Sequence, residues 1–266
     1  MLDHSILSRG ARVLAAGALS LAVVAQLACA QSAAPAAKMT PEAQAVKKQL
    51  EQKFPGAQVT SVSKSPYFGL YEAQFEDRMV YTDAKVQYIL VGSIYDAATK
   101  TNLTDQKLKQ LNRIAFDSLP LDLAFKRVKG NGERKLAIFS DADCPFCAQL
   151  EKTLREVDNV TIYTFLYPID QLHPDSARKS KIIWCSADKV KAWDEFFVNG
   201  ALPDNSGECP NPVAATAALG SKLRVTATPT LVFADGSIVP GALPTDRLES
   251  EFQTAEAEAK KLAAKK

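Results

Sequence analysis

The chain has 266 residues, 47% hydrophobic and 23% charged, enough apolar material for a core in one or two domains and too much for a wholly disordered chain. With 32 Lys and Arg against 30 Asp and Glu, the formal net charge is +2, so the global basic field expected of a nucleic-acid-binding protein is absent. Two histidines, His4 and His173, argue against a His-rich metal site, and five cysteines are too few for a miniature disulfide-built fold but enough for one redox pair and one staple.

The first thirty residues read as an export signal. Arg9 and Arg12 precede an apolar run over 13–25, and Ala28-Cys29-Ala30 supplies small residues for cleavage after Ala30. The run is shorter than the roughly 20 residues of a spanning helix. An uncleaved anchor and a lipoprotein lipidated at Cys29 are the alternatives; Gln26 stands where a lipidation signal needs an apolar residue. Cleavage removes Cys29 and His4, and leaves Cys144, Cys147, Cys185 and Cys209 with His173. An even cysteine count suits an oxidising compartment. No later segment is long and apolar enough to span a membrane, so the processed chain is expected to be soluble.

Residues 31–39 are rich in Ala, Pro and Ser and are expected to be disordered. Thr40-Pro41 is a cap and first-turn pair opening a helix over 41–53, with Val46 and Leu50 on one face and a stop at Pro55-Gly56. Strand-like runs follow over 58–63, 67–75, 78–82 and 86–95. Residues 40–100 thus predict a small helix-plus-antiparallel-sheet domain. It has no cysteine, histidine or phosphate loop, which points to binding or assembly. A helix over 104–117, opened by Thr104-Asp105, carries Leu108, Leu111 and Ala115 on one face and Lys107, Lys109 and Arg113 on the others. Such a polar helix reads as a linker (101–118); an ordinary packed helix remains open.

Residues 119–266 alternate strand and helix. The runs over 135–140 and 160–167 are strands, 149–157 is helical, and 176–223 is mostly helical. Residues 230–233 and 237–239 flank the hairpin turn Asp235-Gly236, and Thr245 opens a last helix with a basic end. The whole predicts an α+β chain whose C-terminal part is an α/β sandwich with a helical insertion.

The chemistry sits in Ser140-Asp141-Ala142-Asp143-Cys144-Pro145-Phe146-Cys147, which leaves a strand and enters a helix. Pro145 at the first helical position makes Cys144 the cap. Its sulfur is then expected to accept from the N–H groups of Phe146 and Cys147 and to face the positive end of the helix dipole. Both effects favour the thiolate. Cys147 lies one turn on, close enough for a disulfide. Cys144 is therefore expected to be an exposed, unusually acidic nucleophile, and Cys147 the resolving thiol. Asp141 and Asp143 work against ionisation. The alternatives are half of a zinc site, which would need four ligands, and an inert bridge, which would close almost no loop. A motif of the type GxGxxG or a Walker loop is absent, and thiolate exchange requires no cofactor: no metal, nucleotide or flavin.

Cys185 lies in a helical stretch and Cys209 in a polar loop. Joined, they close a loop of about 25 residues, worth roughly 3.5 kcal/mol in the chain-entropy account. A staple is the first reading and a second electron relay the alternative. Val225-Thr226-Ala227-Thr228-Pro229-Thr230 leads into a strand; a proline there is allowed and a cis Thr228–Pro229 bond is plausible.

These features resemble the DsbC/DsbG family of periplasmic disulfide isomerases within the thioredoxin superfamily. The segments that carry the resemblance are FSDADCPFC, IIWCSADK, Cys209 in its loop, ATPTLVFADGSIVPG and MVYTDAKVQYILVGSIYD. The last two favour the DsbC branch, whereas the central Pro145-Phe146 is nearer the DsbG type. The resemblance implies that Cys144 is the nucleophile and Cys147 the resolving thiol. It implies that Thr228 and Pro229 form a cis-proline loop which, with Pro145 and Phe146, docks substrate, and that Cys185–Cys209 is a structural disulfide. It further implies a V-shaped homodimer paired through strand edges of the N-terminal domain, and an apolar cleft for misfolded, disulfide-containing exported proteins. Tyr67, Phe68, Leu70, Tyr71 and Phe75 are candidates for that cleft or for the domain's own core. A membrane reductase of the DsbD type would keep the pair reduced. The expected function is thiol:disulfide interchange with isomerase, reductase and chaperone activity in the periplasm. A DsbG-like reductase of sulfenylated cysteines, a pure holdase chaperone and a thioredoxin-like oxidase are the competing readings.

Overall fold

A computed structural model describes residues 39–75 and 78–263. The proposed leader, its cleavage after Ala30, residues 31–38 and Lys265-Lys266 lie outside the described residues. No helix among the described residues is long and apolar enough to cross a membrane.

Helix α1 (Pro41–Lys53) starts at the expected cap: Thr40 is extended and its Oγ1 accepts from the Ala43 N–H at 3.2 Å. Ala43, Val46 and Leu50 recur at helical spacing and are buried. They pack on Val59, Val62, Tyr71, Ala73 and Val86 of an antiparallel sheet in the order β1 (Val59–Lys64), β2 (Tyr71–Phe75), β3 (Arg78–Thr82), β4 (Ile89–Val91). Two strands are shorter than the sequence predicts. Residues 67–70 form a turn, with the Leu70 N–H donating to the Tyr67 carbonyl and Phe68 and Gly69 at φ of 57° and 67°. The Asp83 carboxylate accepts from the N–H groups of Lys85, Gln87 and Tyr88, which curls residues 83–88 into a loop before β4. Of the five cleft candidates, Tyr71 is in the core, Phe75 packs against it, and Phe68 is 83% exposed.

A two-stranded ladder, β5 (Tyr95–Asp96) with β6 (Thr101–Asn102), leads into α2 (Leu103–Leu111). The cap of α2 is Asn102, whose Oδ1 accepts from the Asp105 N–H at 3.0 Å. Thr104 is instead buried, where its Oγ1 meets the Tyr81 hydroxyl at 2.5 Å and the Ile94 N–H at 2.9 Å. The helix stops six residues short of the expected Asp117. Beyond it the Ile114 N–H donates to the Gly236 carbonyl, and 3-10 turns follow at Phe116–Ser118 and Leu121–Leu123.

The second sheet has the order β11 (Ile238–Pro240), β10 (Thr230–Phe233), β8 (Arg134–Ser140), β9 (Val160–Leu166), β7 (Phe125–Lys129). Strands β8 and β9 are parallel and the other pairs antiparallel. Central β8 is apolar on both faces, as a strand covered on both sides must be. Leu136 and Ile138 meet Leu150 and Leu154 of α3 (Pro145–Glu156) and Leu248 and Phe252 of α7 (Thr245–Ala263). Ala137 and Phe139 meet Phe116, Phe165 and Val232 on the opposite face. Between β9 and β10 stand α4 (Ser176–Trp184), α5 (Lys189–Asn199) and α6 (Val213–Lys222). They gather around buried Trp193, Ile183 and Val213, against Phe125 and Leu166. The fold class is α+β: a helix with an antiparallel sheet, followed by an α/β domain with a helical insertion.

Candidate dithiol site

The site lies where β8 ends and α3 begins. Apolar β8 delivers Asp141 and Ala142 into the interior, and Pro145 at the first helical position starts α3 with Cys144 as its cap, at φ −78° and ψ 122°. Helix α3 is held by Glu151, a buried carboxylate that accepts from Trp193 Nε1 at 2.7 Å and pairs with Arg127 at 3.0 Å. Both thiols are free. Cys147 is fully buried, and the Asp141 N–H points at its sulfur at 3.4 Å.

One expectation for Cys144 is corrected. The residue is 5% exposed rather than open to solvent, because the loop before β10 lies over it. As a thiol its side chain makes no cap hydrogen bond. The thiol is turned instead toward the Thr228 carbonyl, to which it donates at 3.2 Å. It is nevertheless acidic. Its pKa is lowered from the ordinary value of 9.0 to about 5, first by the hydrogen bond from the Cys147 thiol, against the opposing effect of burial. The Thr228 side chain and the N–H groups of Cys147 and Phe146 lower it further. The pKa of Cys147 is raised, by burial first and then by its bond to Cys144. The pair is therefore asymmetric: Cys144 is the sulfur that ionises readily, giving up its bond to the Thr228 carbonyl as it does so, and Cys147 is the one that keeps its proton and donates to it.

The Thr228–Pro229 peptide is cis. Thr228 and Pro229 are buried beside the pair, and the loop is pinned by the Thr230 hydroxyl on Ala227 O at 2.7 Å and by the Gly241 N–H on Pro229 O at 2.7 Å. Pro145 is exposed and Phe146 is 59% exposed, so Phe146 presents an apolar face next to the sulfur. The structure thus assembles Cys144, Cys147, Pro145, Phe146, Thr228 and Pro229 in one place. Cys185 and Cys209 lie apart from them, joined at the end of α4 by a disulfide with Cα atoms 5.8 Å apart. Among the described residues, no group of three or more His, Cys, Asp or Glu is placed to hold a metal.

Sequence reasoning missed what happens to the two acidic residues before Cys144. The Asp141 carboxylate is fully buried and accepts from the N–H groups of Asp143 and Ile169, both at 2.8 Å, from His173 Nδ1 at 2.9 Å and from the Ser176 hydroxyl at 2.5 Å. Asp143 is ion-paired with Lys179. Both carboxylates are thus engaged by groups from the β9–α4 region. His173 is one of only two histidines in the chain, which offers a hint, but a separation of 32 residues from Asp141 carries no periodic signal.

A helix-start dithiol facing a cis-proline loop, on a five-stranded mixed sheet with helices on both faces, defines a thioredoxin-like thiol-exchange protein. The chain matches the thioredoxin-like domain family over residues 121–256 and the disulfide bond isomerase protein N-terminal domain family over residues 29–105. It is 45% identical over 212 residues to the probable thiol:disulfide interchange protein DsbC of Bordetella parapertussis, covering 80% of this chain and 75% of that one. It is 25% identical over 199 residues to the thiol:disulfide interchange protein DsbC of Escherichia coli, covering 73% and 81%. A disulfide interchange protein from Neisseria gonorrhoeae of known crystal structure is 44% identical, with a TM-score of 0.50 over 52% of this chain and 98% of that one. The chain belongs to the DsbC branch of the DsbC/DsbG family, and its activity is thiol–disulfide interchange by an oxidoreductase/isomerase.

Proposed function

We propose that the protein is a periplasmic disulfide isomerase in which Cys144 attacks non-native disulfides of exported proteins. The observation that carries this reading is the placement of Cys144 at the start of α3, one turn from Cys147 and 3.2 Å from the Thr228 carbonyl of the cis-proline loop. The Cys144 thiolate forms a bond to one substrate sulfur and expels the other as a thiolate. That thiolate can attack a different disulfide of the substrate and finally release Cys144, which reshuffles bonds with no net oxidation. Alternatively Cys147 loses its proton and attacks the Cys144 sulfur. The substrate then leaves reduced, the pair becomes a disulfide, and a membrane reductase of the DsbD type returns it to the dithiol.

Thr228 and Pro229, with Pro145 and Phe146, form the docking edge for the substrate backbone, and Cys185–Cys209 is a structural staple. We assign residues 1–30 to the leader, 40–100 to dimerisation, 101–118 to the linker and 119–266 to catalysis. The edge strand β4 supports the dimer: Ile89, Leu90 and Val91 are 37%, 52% and 78% exposed, and an open apolar edge invites pairing with a second copy. A paired molecule with apolar surface between its arms would hold misfolded chains and act as a chaperone. Reactivation of scrambled ribonuclease tests the proposal. The reduced protein restores activity and Cys144→Ala does not; efficient reduction of sulfenylated cysteines with no reactivation would support the reductase reading instead.

A further inference from the structure

We infer that Lys179 preserves the acidity of Cys144 by neutralising Asp143, which makes it a positioning residue of the exchange site rather than one more surface lysine. The inference rests on Cys144 being the attacking thiol. Asp143 is the residue immediately before Cys144, so its Cα is about 3.8 Å from that of the nucleophile. A bare carboxylate there repels a thiolate. The structure does not leave it bare. The Asp143 N–H is bound to Asp141 Oδ1 at 2.8 Å, and its carboxylate is ion-paired with Lys179 Nζ from α4.

The lysine is itself held on several sides. It also lies 3.5 Å from Asp175 Oδ2, and its Nζ is 5.9 Å from the ring centroid of Phe196 on α5. Its side chain and that of Asp143 are each 22% exposed, so the pair is less screened than one in open solvent. The Lys179 pKa is raised, first by Asp143. The neighbouring charges have partners of their own. Asp141 is satisfied by four donors, including His173, and Asp175 is bound by Arg178 at 2.7 Å. Lys179 is thus the counter-ion that offsets the charge next to Cys144. A less acidic Cys144 is also a poorer leaving group when a substrate thiolate releases it from the mixed disulfide, so the same lysine bears on both attack and release.

The test is the pH dependence of alkylation of Cys144 by iodoacetamide in the full-length reduced protein, followed with thiolate absorbance. Lys179→Met is expected to raise the midpoint by roughly half to one pH unit, read as about three- to tenfold slower alkylation below the midpoint. Asp143→Asn removes the carboxylate beside Cys144 while keeping the lysine, and lowers the midpoint. Lys179→Arg keeps the native value, and the double variant Asp143→Asn, Lys179→Met returns close to it, a reversal that damage to packing does not produce. An unchanged midpoint in Lys179→Met, or a shift of the same sign in both single variants, overturns the inference. A native midpoint at the ordinary cysteine value would instead remove the nucleophile reading on which it rests.

Discussion

At the scale of single residues, the acidity of Cys144 comes from one hydrogen-bonded sulfur pair more than from the helix end. Cys147 is the largest contributor and the Thr228 side chain follows, with the N–H groups of the first turn behind them. The linkage sign is set by these shifts. A thiol lowered to about 5 from 9.0 stabilises the reduced fold above its unfolded pKa and loses that stabilisation as pH falls through the folded value. Cys147, raised by burial, acts in the opposite sense, and its stabilisation is lost as pH rises past 9.0. Denaturant unfolding of the reduced protein against Cys144→Ser should therefore show an advantage that grows from pH 5 toward pH 9; an advantage independent of pH over that window contradicts the assignment. The 5% exposure of Cys144 adds a steric expectation. Small alkylating reagents should react at least several-fold faster than bulky maleimides, and equal rates would contradict the covered geometry. The dithiol was legible in the sequence because Cys-Pro-Phe-Cys after an apolar strand is a local signal. Asp141, His173, Ser176 and Lys179 were not, because their partnerships span 32 to 36 residues and depend on how the β9–α4 loop returns to the end of β8.

At the scale of elements, two local features hold the site's supports in place. Residues 113–114, just past α2, clasp the β10–β11 turn. Arg113 pairs with the buried Asp235 carboxylate at 3.2 Å, and the Ile114 N–H donates to the Gly236 carbonyl at 2.9 Å. Gly236 sits at φ +86°, and a Cβ there would lie 2.5 Å from the Ile114 carbonyl oxygen. Gly236→Ala is therefore expected to cost about 1–3 kcal/mol through strain and displacement of that strap, measured by chemical denaturation; a change within a few tenths of a kcal/mol contradicts the clasp. Replacing Cys185 and Cys209 together by alanine reopens a loop closed over a separation of 24 residues and should cost about 2–4 kcal/mol. Intact stability in that variant would argue against a structural role. The same clasp explains why helix α2 was overestimated. Leu108, Leu111 and Ala115 fit helical spacing, but burial of Ile114 and Phe116 under the second sheet draws residues 112–116 out of the helix. Strand 86–95 was overestimated for a related reason: the Asp83 side chain captures N–H groups that a longer strand would have used.

At the scale of the whole molecule, the order of elements was enough to read a helix-plus-antiparallel-sheet domain ahead of an α/β domain, since each has its own hydrophobic period. The partner of the first domain was less legible, because an edge strand and an ordinary exposed strand have the same sequence. If β4 pairs two protomers, Leu90→Lys should yield a monomer by analytical ultracentrifugation. Reactivation of scrambled ribonuclease should fall while reduction of a small disulfide is retained; an unchanged dimer would place the interface elsewhere. Covalent exchange at Cys144 underlies the proposed activity, and trapping addresses it most directly. Cys147→Ala, incubated with an oxidised extract of exported proteins, is predicted to accumulate mixed disulfides that disappear on reduction and are absent from the Cys144→Ala, Cys147→Ala double variant. A Cys147→Ala protein that forms no such adducts, or forms as many after Cys144 is also replaced, would contradict it.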